Sequence, residues 1–600
     1  MSSHTWRKNM IKIAMIRHGK TYGNTLGRYI GVTDEPLCEE GKKELEQRTM
    51  DTVELLFVSP LKRCLETADV LYPYAKQVKI PEFAECNFGE FENKNYQELK
   101  DKLVRKGYTF YSETDTEVAV KLIAYYYEKT DHNPLESMSR ALLRVRGSFA
   151  LGIMFKDRPG VVYAARKDSP LIVGQNEGGA FIASDVPAIL SYTRNVYYIG
   201  NLEFAKLVPG EAHFYDLNGD EIEKETTEIK WDAEAAEKAG FEHFMMKEIY
   251  EQPKAIRDTL NSVVKDGVID FTDIDITEEE IKKYSQIYIV ACGSAWHVGV
   301  EAQYVIEEMA QIPVRVELAS EFRYREMPLV KDGLVIVISQ SGETADTLAA
   351  MRMAKDKGLA TLAVVNVIGS SIAREADKVF YTLAGPEISV ATTKGYSAQL
   401  VALDCIAVQF AKVKGLITDE QYSYYISELQ TIPEKIEKVL QDKERIQWFA
   451  AKYANAHDVF FVGRGVDYAV CLEGSLKLKE ISYIHSEAYA AGELKHGTIS
   501  LIEDNILVIG VLTQSKLYEK TVSNMMECKS RGAYLMGVTN YGNYEMEDKV
   551  DFTVYVPKVD EHFMGSLAVI PLQLLGYYVS VAKGLDVDKP RNLAKSVTVE

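Results

Sequence analysis

The second half of the chain alternates short apolar runs with longer segments whose apolar residues recur at helical spacing. The runs predicted to be β-strands are residues 287–290, 334–338, 360–365, 379–382, 459–462, 506–511, 533–538 and 552–556. Such alternation is typical of a parallel sheet that helices cover. The turns that follow the first run of each set, at 292–294 and 463–465, lie about 170 residues apart. The pattern therefore predicts two similar α/β domains in tandem.

The amino-terminal part follows a different pattern. Short apolar runs predict strands, and apolar positions at helical spacing predict one long helix. The predicted strands are residues 11–16, 55–58, 148–155 and 160–165, and the predicted helix is 117–143. This order indicates an α+β layout. Residues 226–259 are rich in Lys and Glu and are predicted to connect the domains.

Composition narrows the class of protein and of partner. At 600 residues the chain is long enough for about three to five domains. Apolar residues make up 46% and charged residues 26%, as in an ordinary globular protein. A net charge of −19 argues against nucleic acid as the main partner, because a phosphate backbone needs clustered Lys and Arg. A phosphorylated small molecule remains compatible, since amides and hydroxyls at a helix start bind one phosphate without net positive charge.

Two features bear on location. The uncharged run 564–582 is interrupted by Pro571, Gln573 and Gly576, which favours a buried core helix over a membrane span. The seven cysteines are scattered without short paired spacing, which fits a reducing compartment and no structural zinc. The chain is therefore expected to be cytoplasmic.

The apolar run 334–338 ends in a turn that is rich in hydroxyl groups. Ser339, Ser341 and Thr344 supply three hydroxyls, and Gly342 permits close backbone approach where a helix begins. Together these features can form a cradle for phosphate. The alternative is a Ser or Thr helix cap, which would need only one of these residues.

A second group of polar residues lies in the last third of the chain. Glu473, Lys477 and Glu480 recur at i, i+4 and i+7, which places them on one helical face. The spacing alone favours a solvent-exposed stripe of ion pairs. His496 follows this segment, and Lys595 lies in a charged tail where a lysine is ordinarily solvated.

Four segments resemble, in order and spacing, the glutamine:fructose-6-phosphate aminotransferase family: residues 339–347, 472–480, 490–497 and 590–600. The first of them resembles the signature turn of sugar isomerase (SIS) domains. The resemblance implies a phosphate site and a sugar-lining loop. The residues implied to hold the phosphate are Ser294, Ser339, Gln340, Ser341 and Thr344, and those implied to line the sugar are Val390, Ala391 and Thr392.

The resemblance also implies catalytic roles, each suited to its residue type. Lys595 would form a Schiff base with the ketose, as a lysine amine can. Glu480 would move the proton between C1 and C2, and a neutral His496 would open the sugar ring. Lys477 would stabilise the charge that develops in the transition state.

The middle of the chain resembles the inner part of an amino-terminal-nucleophile glutaminase from about residue 112 to 240. The resemblance implies that Asp115 binds the α-amino group of glutamine, while its spacing fits a helix cap equally well. That family uses a Cys that directly follows the initiator Met, and this chain begins Met1-Ser2-Ser3. The glutaminase half is therefore expected to be inactive.

Residues 10–95 instead resemble the histidine phosphatase, or phosphoglycerate mutase-like, family. The resemblance implies that His18 is phosphorylated, that Arg17 and Arg63 bind phosphate, and that Glu85 donates the proton to the leaving group. This family also needs a second histidine in a His-Gly-Gly-like turn, and no such turn is found between residues 96 and 240.

These observations predict an α/β chain with two tandem SIS-type, doubly wound parallel-sheet domains. They are preceded by a partial α+β glutaminase fold and a partial α/β histidine phosphatase-like segment. The expected boundaries are 1–100 for the phosphatase-like fragment, 101–240 for the glutaminase part, 241–280 for a linker, 281–425 and 450–590 for the SIS domains, and 591–600 for a catalytic tail.

The family reaction makes glucosamine 6-phosphate and glutamate from fructose 6-phosphate and glutamine. This chain is expected to isomerise fructose 6-phosphate and to accept ammonia, without a metal or organic cofactor. The resemblance also implies a homodimer in which His496 crosses to the other subunit's site. Two alternatives stay open: a non-catalytic sugar-phosphate sensor, and a phosphatase that acts through His18.

Overall fold

The computed structural model describes residues 21–22, 35–46, 55–58, 61–73, 75–79, 96–112, 114–145, 147–186, 188–190, 192–229 and 238–598. The chain divides into two compact units. The first consists of Met1–Gly147 with Tyr215–Ile222, and the second of Ser148–Phe214 with Glu223–Glu600. The strand predicted at 11–16 lies outside the described residues.

The first unit is mainly helical where it is described. Its elements up to residue 147 are α1 (Glu39–Glu46), β1 (Leu55–Val58), α2 (Lys62–Leu71), β2 (Lys76–Lys79), α3 (Tyr96–Arg105), α4 (Asp115–Lys129) and α5 (Pro134–Leu142). The strand predicted at 55–58 is confirmed as β1, which pairs in parallel with β2.

The helix predicted over 117–143 is wrong, because two helices occupy that range. Asp131 and His132 have φ values of 49° and 58°, which a helix does not contain. Pro134 then takes the first position of α5, where its missing N–H costs nothing. The side chain of Asn133 caps α5 by accepting from the N–H of Glu136.

Short antiparallel strands follow residue 148. They are β3 (Phe149–Ile153), β4 (Val162–Lys167), β5 (Ile172–Asn176), β6 (Gly179–Ala183), β7 (Asn195–Tyr198), β8 (Phe204–Val208), β9 (Glu211–Tyr215), β10 (Glu221–Ile222) and β11 (Thr227–Glu228). Strands β3, β4 and β8 are neighbours in one sheet, and a second sheet has the order β11-β7-β5-β6. The strands predicted at 148–155 and 160–165 are confirmed as β3 and β4.

The segment expected to be a linker contains a long helix that belongs to the core. Helix α6 (Phe244–Val263) precedes the short strands β12 (Val264–Lys265) and β13 (Val268–Ile269). Its residues Met245, Ile249, Ile256 and Leu260 are at most 3% exposed and lie in the largest apolar cluster. Their spacing of four, seven and four is an apolar helical stripe that the Lys and Glu content obscures.

The first α/β domain contains α7 (Glu278–Lys283), β14 (Gln286–Ala291), α8 (Gly293–Ala310), β15 (Val314–Leu318), α9 (Ala319–Phe322), β16 (Gly333–Ser339), α10 (Ala345–Asp356), β17 (Ala360–Val365), α11 (Ser371–Glu375), β18 (Lys378–Tyr381) and α12 (Lys394–Val413). Its sheet is parallel, with the order β15-β14-β16-β17-β18. Every residue of β16 is buried, as expected for a central strand that helices cover on both faces.

The second α/β domain contains α13 (Asp419–Leu440), α14 (Lys443–Tyr453), β19 (Asp458–Gly463), α15 (Val466–Ser482), β20 (His485–Ala490), β21 (Leu507–Leu512), α16 (Tyr518–Lys529), β22 (Tyr534–Asn540), β23 (Phe552–Val556) and α17 (Gly565–Ala582). Its parallel sheet has the order β20-β19-β21-β22-β23. This is the order of the first sheet, so the predicted duplication of an α/β domain is confirmed.

Among the described helices, α17 has the length and the apolar composition that crossing a membrane would require. Within residues 561–582 an 18-residue window has a mean hydropathy of 1.4, and 94% of that window is buried inside the protein. The helix packs against α15 and α14. The prediction of a core helix over 564–582 is therefore confirmed.

Candidate active site

The hydroxyl-rich turn joins β16 to α10, at the carboxyl edge of the first parallel sheet, where ligands of such folds bind. The hydroxyl of Ser339 accepts from the N–H of Gly342 at 3.0 Å and shares a hydrogen bond of 2.9 Å with the hydroxyl of Thr344. Gly342 has a φ of +66°, and a Cβ at this position would overlap Ser370 Oγ. The turn thus needs glycine both for its backbone conformation and for space.

The carboxyl-terminal tail lies against this turn. The hydroxyls of Ser341 and Ser596 share a hydrogen bond of 2.9 Å. The first N–H of α10, from Ala345, donates to the carbonyl of Val597 at 3.0 Å. These contacts hold the residues on one side of Lys595 against the helix start that the sequence nominated for phosphate.

Lys595 points into a buried carboxylate that the sequence did not nominate. Its ammonium lies 2.7 Å from Oε2 of Glu387, whose side chain is 0% exposed. The Thr392 hydroxyl donates to the same oxygen at 2.6 Å, and the N–H groups of Thr393 and Gly395 donate to Oε1 at 2.9 and 3.0 Å. Burial alone would raise the pKa of Glu387, but the Lys595 ammonium and these donors lower it to about 2.

Gly395 marks the point where the turn and the sugar-lining loop meet. A Cβ there would lie 2.8 Å from Thr392 Oγ1 and 3.0 Å from both Gln340 Cγ and Glu387 Oε2. Of the other predicted loop residues, Ala391 is 1% exposed, and Val390 donates its N–H to the carbonyl of Asp588 at 3.0 Å. The structure therefore brings the phosphate turn, the loop and Lys595 together.

Helix α15 of the second domain supplies a buried charge cluster. Lys477 and Glu473 have side chains that are 1% and 0% exposed. The Lys477 ammonium lies 2.5 Å from Glu480 Oε2 and 3.5 Å from Glu473 Oε1. Burial opposes the charge on Lys477, but the carboxylates of Glu480, Glu473 and Glu387 raise its pKa. The spacing-based expectation of a solvent-exposed stripe is wrong for Glu473 and Lys477.

Glu473 also contacts the first α/β domain. The hydroxyl of Ser294 donates to its Oε1 at 2.9 Å, and His297 Nδ1 lies 2.8 Å from its Oε2. Burial raises the pKa of Glu473, and Lys477, His297 and Ser294 together lower it below the ordinary value. Ser294, nominated for phosphate, is thus occupied with Glu473 in this structure.

His496 is not brought to the other predicted residues by any contact within the described part of the chain. It ends a short 3₁₀ turn, Leu494–His496, and its side chain is exposed. The ring makes no hydrogen bond or ion pair with a described residue.

A second buried carboxyl that sequence reasoning missed lies behind the loop. Glu248 on α6 accepts from the N–H groups of Ile388 and Ser389 at 2.5 and 3.2 Å. Burial, followed by the charge of Glu387, raises the pKa of Glu248 to about 8. In both cases the sequence signal for a buried acid was a Glu beside apolar residues. Glu248 lies at the amino end of α6, and Glu387 lies before α12.

The residues nominated in the amino-terminal part are only partly described. Asp115 is the first residue of α4 and is exposed, while Thr114 occupies the cap position. The helix-cap alternative for Asp115 is therefore wrong. Arg63 is fully buried on α2. Arg17, His18 and Glu85 lie outside the described residues.

Models of three known families match the chain, and two of the matches overlap over residues 88–119. The model of the SIS domain matches residues 280–409 and 452–583. The model of the glutamine amidotransferase domain matches residues 88–191. The model of the histidine phosphatase superfamily (branch 1) matches residues 13–119.

Curated relatives match most of the chain. A glutamine–fructose-6-phosphate aminotransferase (isomerizing) from Clostridium acetobutylicum is 55% identical over 84% of this chain and 83% of its own. One from Methanosarcina mazei is 45% identical over the same shares. Among solved structures, the C-terminal domain of glucosamine-fructose-6-phosphate aminotransferase from Francisella tularensis is 40% identical, with a TM-score of 0.57, over 59% of this chain and 100% of its own.

Proposed function

Because this chain belongs to the family of isomerizing glutamine–fructose-6-phosphate aminotransferases, we propose that it converts fructose 6-phosphate to glucosamine 6-phosphate. The observation that carries the proposal is the position of Lys595. Its amine lies 2.7 Å from a buried carboxylate, and its neighbour Ser596 bonds to Ser341 of the hydroxyl-rich turn. A nucleophilic amine next to a phosphate-binding turn is what a phosphorylated ketose requires.

The phosphate binds at the turn between β16 and α10. Backbone N–H groups at a helix start favour an anion, and the hydroxyls of Ser339, Ser341 and Thr344 add donors. Gln340 completes the phosphate contacts, and Ser294 joins them when its hydroxyl turns from Glu473 toward the ligand. Val390, Ala391 and Thr392 line the sugar, in line with the close approach of Thr392 and Gln340 around Gly395.

Lys595 attacks C2 of the open-chain ketose and forms an imine. Glu480 then moves the proton between C1 and C2, and the Lys477 ammonium, 2.5 Å from Glu480, stabilises the developing charge. His496 of a second subunit opens the sugar ring, which fits its exposed side chain in this chain. The working form is thus a homodimer, and we place it in the cytoplasm.

Free ammonia is the nitrogen source that we propose. The amidotransferase match begins at residue 88, whereas residues 13–119 match the histidine phosphatase model. The part of the chain ahead of the amidotransferase match therefore resembles another family. Asp115 remains as a glutamine-binding remnant, and Arg17, His18, Arg63 and Glu85 as phosphatase-like remnants.

A paired assay tests the proposal. The protein is supplied with fructose 6-phosphate and either glutamine or ammonium, and glucosamine 6-phosphate and glucose 6-phosphate are followed by mass spectrometry. We expect glucose 6-phosphate without a nitrogen source and glucosamine 6-phosphate with ammonium only. The K595R variant tests the imine, and we expect it to form neither product.

Three results would count against parts of the proposal. Efficient synthesis with glutamine would overturn the choice of ammonia. Activity that survives in K595R would overturn the imine. Binding of fructose 6-phosphate without any turnover would indicate a sugar-phosphate sensor instead.

A further inference from the structure

Glu387 touches the reacting amine, yet the imine chemistry proposed above gives it no role. We propose that Glu387 is the counterion of a protonated imine formed at Lys595. This role rests on the proposed function, since it needs the ketose to bind covalently to Lys595. Glu387 is then a catalytic residue, because it keeps the imine nitrogen of Lys595 protonated, and this positive nitrogen accepts the electrons during isomerisation.

The carboxylate is fixed in place by more than the lysine. Its Oε1 accepts two backbone N–H groups, from Thr393 and Gly395, at the amino end of α12. Its Oε2 accepts the hydroxyl of Thr392 as well as the ammonium of Lys595. An anion that the helix start and four donors stabilise stays ionised and cannot rotate away when the lysine reacts.

The charge balance of imine formation requires a lasting anion at this point. The ammonium of Lys595 carries three protons, and the C2 carbonyl carries none. The ammonium first passes one proton to the carbonyl oxygen, so that the amine has a lone pair with which to form the C–N bond. When the C–O bond breaks, a second proton follows, so that one proton stays on nitrogen and two leave with the oxygen as water. The product is a cationic imine, so the ammonium–carboxylate pair becomes an iminium–carboxylate pair without any external acid.

Glu387 is the acid that holds the Lys595 ammonium at 2.7 Å, and the charge of Lys595 also acts on Asp185, whose pKa burial raises. Lys595 faces Glu387 from the tail, Glu248 from α6 and Lys477 from α15. Lys394 acts on the neighbouring Glu248 and has its own partner, Glu251, at 2.7 Å. The pKa of Glu248 is raised to about 8, so near neutral pH it is mostly protonated, and Glu387 carries the negative charge beside the amine.

A positive imine nitrogen is what makes the isomerisation possible. The proton at C1 becomes acidic when the electrons of its bond can move toward a cationic nitrogen at C2. Loss of the counterion should lower the pKa of the protonated imine by about 1–3 pH units, which is the usual effect of one nearby opposite charge. Isomerisation should then slow by about 100-fold near neutral pH, as when one preorganised electrostatic partner is removed.

Trapping with cyanoborohydride, which reduces protonated imines, tests this role. The full-length enzyme is mixed with fructose 6-phosphate at a series of pH values, and the reduced adduct on Lys595 is measured by peptide mass spectrometry. We expect E387Q to bind fructose 6-phosphate within about threefold of the wild type, because the amide keeps the shape and most contacts of the acid. As the pH rises, its trapped fraction should begin to fall at a lower pH than that of the wild type. Its isomerisation should also be slower.

Two further variants keep the test decisive. E387D retains the charge and should recover the wild-type pH profile of trapping even if its rate is reduced. E251Q removes the acid of a second Lys–Glu pair, at the same 2.7 Å separation, without touching Lys595. It should lower the thermal unfolding midpoint but leave the pH profile of trapping unchanged.

The outcomes separate this inference from the proposed function. If the wild type gives no adduct on Lys595, the imine itself is wrong. If the wild type gives the adduct and E387Q shows the same pH profile and rate, only the counterion role is overturned. E387D decides the matter if E387Q does not fold. If the pH profile of trapping in E387D is shifted as far as is expected for E387Q, the counterion role is overturned as well.

Discussion

The hydroxyl of Ser294 donates to Glu473 Oε1 across 2.9 Å and so joins α8 of one α/β domain to α15 of the other. His297 reinforces the contact from the same helix, α8, at 2.8 Å. Lys477, one turn along α15, lies 3.5 Å from the same carboxylate. One fully buried acid thus links the two domains and also sets the charge around the candidate site.

Replacing Glu473 should be costly. E473A would leave the buried ammonium of Lys477 with one carboxylate fewer, and breaking a buried pair in this way costs about 3–5 kcal/mol. We expect a lower thermal unfolding midpoint by differential scanning calorimetry and loss of isomerisation. S294A removes one neutral donor and should cost only about 1–2 kcal/mol. Equal losses in the two variants would contradict the central position of Glu473.

The turn at Gly342 allows a test of space against backbone conformation. G342A adds a Cβ at a φ of +66° and against Ser370 Oγ, so we expect weaker binding of fructose 6-phosphate, measured by calorimetry. G358A is the control, because its φ is +80° but nothing lies within 4 Å of the new Cβ. Both variants should lose about 1 kcal/mol of stability from the backbone conformation. Only G342A should lose affinity, and an equal loss in G358A would argue against this account.

The strands that sequence predicted are the ones with continuous apolar runs. Within the two α/β domains two strands were missed, β15 (Val314–Leu318) and β20 (His485–Ala490), and each lies at the outer edge of its sheet. Strands β2 and β5 to β13 were also not predicted. Edge strands carry polar residues on their open side, so their pattern is weaker than that of a central strand. Helix α6 was missed for a related reason, since charged residues surround its apolar stripe.

The candidate site was foreseen as far as residue identity allowed. The phosphate turn, the loop and Lys595 were nominated, and the structure brings them together around Gly395. Glu387 was not nominated, because its partner Lys595 is 208 residues away in sequence and no local spacing relates them. The burial of Lys477 was also not foreseeable, since a helical charge stripe looks the same whether solvent or another domain covers it.

Asp588 should matter as a positioning residue for the tail and the loop. Its carboxylate accepts the N–H groups of Phe244 and Met245 at the start of α6, and its carbonyl accepts the N–H of Val390. D588A should cost about 0.5–2 kcal/mol, the usual value of a helix cap, and should raise KM for fructose 6-phosphate. D588N retains one accepting oxygen but places an amide NH2 against the second N–H, so its loss should lie between the wild type and D588A. A KM in D588A equal to that of the wild type would contradict the role of Asp588 in positioning the loop.

Glu248 should make stability depend on pH in a defined direction. Burial and the charge of Glu387 raise its pKa from 4.5 to about 8, so its contribution is complete below pH 4.5 and is lost as the pH rises toward 8. E248Q resembles the protonated acid at every pH, so its stability should gain on that of the wild type by at most about 1.4 kcal/mol per pH unit over this window. Thermal unfolding midpoints between pH 5 and 8 measure the difference, with E503Q, an exposed acid, as the control. A constant gap between E248Q and the wild type would mean that Glu248 is ionised throughout, and the Glu387 carboxylate would then not be the dedicated negative charge beside Lys595.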